Sequence, residues 1–141
     1  MIYGIGNDVL EIGRMSKLLS GRHAEAFMKR ILTHAEREIA DQRGKRMVEF
    51  VSGRFAAKEA VSKAFGCGIG SVMSFTDIEV LPDDKGRPVA TLSNAAWERL
   101  QLPYGKQYEL HLSITHQTEL AAAFAIVEQM GSSLRGTEQQ Q

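Results

Sequence analysis

The 22 residues from Lys45 to Gly66, KRMVEFVSGRFAAKEAVSKAFG, constrain this chain more than any other segment. Apolar Met47, Phe50, Val51, Phe55, Ala57, Val61, Ala64 and Phe65 recur at spacings of three and four, which is the period of a helix. From Phe55 to Phe65 the segment is apolar nearly all round, with alanine at 56, 57, 60 and 64. A helix with no polar face has to be covered on more than one side. Its small side chains admit another backbone at close range. Gly66 is placed to end it. The rest of the chain is therefore read as the material that wraps this helix.

Residues 2–12 carry β-branched residues at Ile2, Ile5, Val9 and Ile12, which favours a strand, and Gly4 and Gly6 within it suggest close approach of a backbone or a ligand. A short helix over Gly13 to Ser20 carries Arg14 and Lys17 on its surface. Two more follow over 24–31 and 34–42, the second opened by Thr33 and Glu36 at capping-box spacing. Asp77 to Leu81 and Arg87 to Leu92 read as strands about the turn PDDKG. Ser93 caps a helix over Asn94 to Leu100. Gln107 to Thr115 and Leu120 to Val127 form a hairpin through THQTE. This order excludes a doubly wound parallel sheet and predicts an α+β fold, a small antiparallel sheet packed on one long helix and several short ones. Residues 1–130 make one domain. Gly131 to Gln141, polar and without periodicity, reads as a disordered tail.

With 43% hydrophobic and 24% charged residues among 141, wholesale disorder is excluded. No apolar run reaches the roughly 18 residues of a membrane span, and the first residues lack the basic-then-apolar pattern of a secretory signal. The single Cys67 has no internal disulfide partner, so a reducing cytoplasm is the expected home. Net charge is zero, yet residues 1–66 hold 12 basic and 8 acidic side chains and the remainder 5 and 9. The basic half suits an acidic partner or a polyphosphate, or is simply a solvated surface. Nucleic acid is not expected, because no aromatic-and-basic ladder is present.

Asp8 ends a strand that otherwise reads as buried. It either caps the next helix or needs a cation, for which a hard ion such as Mg²⁺ is suited. Glu59 and Lys63, at i and i+4, share a helix face. In so apolar a segment they line a cleft more readily than a wetted surface. If Asp8 and Glu59 converge they supply two oxygen ligands, with Lys63 one turn away to meet a phosphate. His116 either contacts phosphate, moves a proton, or is a plain turn histidine. Gly4-Ile5-Gly6 lacks the third glycine of a dinucleotide fingerprint. Gly66-Cys67-Gly68-Ile69-Gly70 follows its helix, so it reads as an exit turn. His23, His34 and His111 do not make zinc-ligand spacing with Cys67.

The run MIYGIGND ending at Asp8, the run Gly53-Arg54-Phe55-Ala56-Ala57-Lys58-Glu59-Ala60 with Lys63, Ala64, Gly66, Gly68 and Gly70, and Ser113-Ile114-Thr115-His116 together resemble the small bacterial class of 4′-phosphopantetheinyl transferases, the holo-[acyl-carrier-protein] synthases. The resemblance covers residues 1–128. It implies transfer of the 4′-phosphopantetheine arm of coenzyme A to a serine of apo acyl carrier protein, with release of adenosine 3′,5′-bisphosphate, in support of fatty acid biosynthesis. By motif, Asp8 and Glu59 would bind Mg²⁺, and Lys63 would stabilise the leaving group. Arg54, Lys58 and His116 would hold coenzyme A, with Lys45 and Arg46 adding to its phosphate binding. The resemblance also implies that Arg14, Lys17 and Arg22 dock the acidic carrier protein, and that the protein is a homotrimer with sites at subunit clefts. The general base stays open between Glu59 and a water assisted by a carboxylate. Cys67 stands where threonine is common, and a noncatalytic binding module of the same fold is the alternative.

Overall fold

The structure, a computed structural model, describes residues 1–104 and 106–131. A long strand, β1 (Ile2–Glu11), runs directly into helix α1 (Ile12–Ser20). Two short helices follow, α2 (Ala24–Ile31) and α3 (His34–Asp41). The capping box opens α3 as expected: Glu36 N donates to Thr33 Oγ1, and Thr33 N donates to the Glu36 carboxylate. The long helical segment is divided. A 3-10 turn over Gly44–Arg46 precedes helix α4 (Met47–Ala64), which ends two residues before Gly66. Gly66, at φ 77°, takes the left-handed conformation that lets the chain leave the helix.

Twelve of the eighteen residues of α4 are buried, so it has no solvent face to be amphipathic about. On one side it lies across a three-stranded antiparallel sheet of order β1-β5-β4, built from β1, β4 (Gln107–His116) and β5 (Leu120–Met130). Here Ala57, Ala60, Val61 and Ala64 meet Ala123, Ala125 and Val127 of β5. On the other side Phe50 and Val51 pack with Met15 of α1, Ile31 of α2 and Ala40 of α3. The β4–β5 hairpin forms as read, with Ile114 opposite Ala123.

The single sheet of the expectation is in fact two. Among the described residues β2 (Ile78–Pro82) and β3 (Pro88–Leu92) pair only with each other. Helix α5 (Asn94–Leu100), capped by Ser93, follows them. Asp77 ties this unit together: it accepts from Ser93 Oγ at 2.7 Å, from Ser74 N at 2.8 Å and from Arg99 Nη2 at 2.6 Å. Burial alone raises its pKa, but these donors outweigh it and bring the carboxyl from 3.8 to about 2. A depressed carboxyl stabilises the fold above its unfolded value, and that contribution is lost as pH falls toward the folded value. Unfolding titrations should therefore show the parent losing stability between pH 3.8 and about 2 more steeply than Asp77→Asn does. Equal slopes in that window would contradict the assignment.

No helix among the described residues is long and apolar enough to cross a membrane. Residues 132–141, most of the segment read as a tail, lie outside the described residues.

Candidate active site

The close crossing of β1 over α4 determines what the site contains. Gly4 faces the Ala64 carbonyl and Gly6 the Ala60 carbonyl, each with no room for a side chain between them. Strand alternation keeps Gly4, Gly6, Asp8 and Leu10 on the helix side of β1. Asp8 therefore reaches α4 near Glu59 and Lys63. Lys63 Nζ donates to Asp8 Oδ1 at 2.9 Å and to the Asn7 carbonyl at 3.1 Å. The ion pair thus joins Lys63 to Asp8, not to Glu59 one turn back on its own helix.

Asp8 and Glu59 line one cavity of about 510 Å³, with Glu11, Arg14 and Leu18 of the β1–α1 corner and with Phe27 and Phe55. Burial and then the negative charge of Asp8 push the Glu59 carboxyl up, while Lys63 pulls it down. Two carboxylates that repel one another on an open cavity wall, with hard oxygen donors, fit a small divalent cation. Arg14 lines this cavity, and Lys17 lies exposed on the same helix. Arg22 is exposed just beyond the end of α1.

A second cavity, about 250 Å³, is basic. Arg43 and Arg46 from the approach to α4, Arg54 within it, and His116 at the end of β4 surround it, with Gly86 of the β2–β3 turn. Glu49 lies against His116, with Oε1 2.9 Å from Nδ1. Arg54 stacks on Phe50 at 4.3 Å and donates through Nε to the Val80 carbonyl at 3.1 Å. Burial, against the pull of Glu36 and with a smaller push from Arg43, lowers its pKa to about 10. A buried guanidinium bonded by Nε only to a carbonyl retains donors for an anion.

Two sequence readings change at this point, and one residue is added. Lys58 does not face a ligand. It is wholly buried, and its ammonium donates to the Ile31 carbonyl at 2.7 Å and pairs with Glu36, itself wholly buried. The motif placed Lys58 beside Arg54 and Glu59 in sequence, but on the helix it points elsewhere. Lys45 is exposed and does not line the basic cavity with Arg46. Arg43, which no motif marked, does line it, and stacks over Phe50 at 5.2 Å. Its only signal in the sequence was the basic run Arg43, Lys45, Arg46.

His111 also gains neighbours that spacing along the chain did not show. With Glu109 and Glu128, which face each other across β4 and β5, its ligand-type atoms lie within 4.8 Å of one another. This exposed group stands on the outer face of the sheet, away from Asp8.

Residues 4–125 match the family described as the 4′-phosphopantetheinyl transferase superfamily. A relative named holo-[acyl-carrier-protein] synthase, from Bacillus cytotoxicus, is 46% identical over 129 residues, 91% of this chain and 97% of the relative. The crystal structure of a holo-(acyl-carrier-protein) synthase from Bacillus anthracis in complex with CoA (3′,5′-ADP) is 45% identical. It superposes with a TM-score of 0.75 over 90% of this chain and 96% of that one. The holo-[acyl-carrier-protein] synthase of Neisseria meningitidis gives a TM-score of 0.80 at 35% identity, over 91% and 99% of the two chains. Every residue that lines either cavity falls within residues 4–125, and the chain belongs to the 4′-phosphopantetheinyl transferase superfamily, in its holo-[acyl-carrier-protein] synthase group.

Proposed function

We propose that this protein moves the 4′-phosphopantetheine arm of coenzyme A onto a serine of an apo acyl carrier protein in the cytoplasm, in support of fatty acid biosynthesis. The observation that carries the reading is the convergence of Asp8 and Glu59, from two elements far apart in sequence, on one cavity wall, with Lys63 bonded to Asp8. Asp8 and Glu59 would hold Mg²⁺, which when bound neutralises charge on the pyrophosphate. The serine oxygen forms a bond to the β-phosphorus, and the bond from that phosphorus to the bridging oxygen breaks. Adenosine 3′,5′-bisphosphate leaves with the electron pair. Glu59, or a water assisted by a carboxylate, would take the serine proton. Lys63 offers its ammonium to the departing phosphate.

Arg54, Arg46 and Arg43, with His116, form the pocket for the 3′-phosphate end of coenzyme A. Exposed Arg14, Lys17 and Arg22 present positive charge beside the acid cavity, which suits an acidic carrier protein.

The two cavities share no lining residue. Arg54 and Glu59 are five positions apart on α4, about 140° around the helix. One molecule of coenzyme A that engages both kinds of cavity is most simply held between neighbouring protomers. Exposed Ile5, Val9 and Phe124 on the outer sheet face support such a homotrimer.

The test is to mix the protein with apo acyl carrier protein, coenzyme A and Mg²⁺ and to measure the carrier's mass. The expected result is a gain of one phosphopantetheine, abolished by chelation and slowed by added salt. Binding of coenzyme A or carrier with no gain in mass would favour the noncatalytic module instead.

A further inference from the structure

The buried ion pair between α3 and α4 does more than fill the core. Glu36 uses one carboxylate oxygen for Thr33 N, at 2.8 Å, and for Lys58 Nζ. The other accepts from Val80 N at 2.8 Å. Val80 belongs to β2, which pairs with β3. Both polar groups of the Val80 backbone are taken by side chains: its N–H by Glu36 and its carbonyl by Arg54 Nε. An unbroken chain of hydrogen bonds thus runs from Lys58 through Glu36 and the Val80 residue to the guanidinium in the basic cavity.

We propose that Glu36 and Lys58 are positioning residues that hold Arg54 in register for the 3′-phosphate of coenzyme A. The proposal rests on the reading of the basic cavity given above. Glu36 fixes the free edge of β2, and the edge carbonyl fixes Nε. The remaining N–H groups of Arg54 are thereby aimed as a fork, which a planar guanidinium needs for two-point recognition of phosphate. Glu36 also supplies a buried negative charge near Lys58 and Arg54 without lining the cavity, whose three arginines outnumber its one glutamate.

Glu36→Gln isolates this role. A glutamine amide has one acceptor oxygen where the carboxylate has two. The Lys58 ammonium holds that oxygen, so the amide nitrogen meets the Val80 N–H, donor against donor, and β2 is pushed off. Steady-state kinetics with coenzyme A and with 3′-dephospho-coenzyme A, at saturating carrier protein, reads the consequence. In the parent the phosphate lowers KM. In Glu36→Gln, KM for coenzyme A should rise about tenfold, with kcat and the KM for the dephospho substrate little changed. In an Arg54→Ala background, Glu36→Gln should have no further effect on the ratio of the two KM values. Should Glu36→Gln fail to fold, Glu36→Leu/Lys58→Met removes both members of the Glu36–Lys58 pair together, leaves the Val80 N–H without its acceptor and gives the same readout.

A preserved ratio in a folded variant overturns the proposal. So does an equal rise for both substrates, or loss of fold in both variants, since the network is then structural only. A parent enzyme indifferent to the 3′-phosphate overturns the assignment of the basic cavity itself, and the proposal with it.

Discussion

Asp8→Asn is expected to lower the rate of phosphopantetheine transfer by about 10²–10³-fold while the protein stays folded. The two halves of that statement have separate causes. In the structure Asp8 is held by Lys63, whose side chain is 48% exposed. Ion pairs so open to water contribute at most about 1 kcal/mol. Lys63 also keeps its bond to the Asn7 carbonyl when the charge is removed. Unfolding curves of parent and variant should therefore nearly coincide. Transfer is different, because Asp8 lines the cavity with Glu59 and its charge is part of what a divalent cation would bind. Asparagine offers a neutral oxygen in its place, so the Mg²⁺ concentration needed for half-maximal rate should rise together with the fall in turnover. The mass assay run across a Mg²⁺ titration, beside thermal unfolding of the same samples, separates the two effects. Near-normal transfer by a folded Asp8→Asn would remove the acid pair from the proposed mechanism.

What could be read from the sequence, and what could not, divides by distance along the chain. The Thr33–Glu36 capping box is a contact across three residues, and it forms as spaced. The course of α4 was legible because its apolar period is local, and its burial because no polar stripe was left to face water. The meeting of Asp8 with α4 was legible only as a conditional: the residue types demanded a partner, and glycines at 4 and 6 marked a close approach. Lys58 shows where this fails. Its neighbours Arg54 and Glu59 both line cavities, and the motif gave Lys58 to coenzyme A as it did Arg54, but the ammonium turns inward to Glu36, 22 positions away. Nothing in the pattern around Glu36 distinguishes a cap that also takes a buried lysine and a strand edge from one that only caps. The division of the strands into two sheets is of the same kind. Alternation tells which face of a strand is buried, but the choice of β3 over β1 or β4 as the neighbour of β2 is decided by how α3 and α4 cover its other edge.

Gly6→Ala is expected to destabilise the protein by about 3 kcal/mol or more, the upper range for forcing extra volume into a packed core. A Cβ at that position would lie 2.0 Å from the Ala60 carbonyl oxygen and 2.7 Å from Ala64 N. Both are backbone atoms of a helix buried on two sides, so no side chain can swing away to relieve the overlap. Gly4→Ala meets the same obstacle, at 1.9 Å from the Ala64 carbonyl oxygen. The strand must lift from the helix, and the contacts of Ala60 and Ala64 open with it. Gly13→Ala is the control: it lies within α1, a Cβ there has nothing within 4 Å, and alanine should raise stability by about 0.5–1 kcal/mol. Calorimetry of the three variants should thus show two large falls in Tm and one small rise. The fall at Gly6 carries a functional consequence as well. Asp8 is two residues further along the same face of β1, so a strand displaced at Gly6 carries its carboxylate away from Glu59. Whatever fraction of Gly6→Ala remains folded should then transfer more slowly per folded molecule than the parent. A variant as stable and as active as the parent would mean that β1 does not cross α4 at backbone contact, and the placement of the acid pair would fall with it.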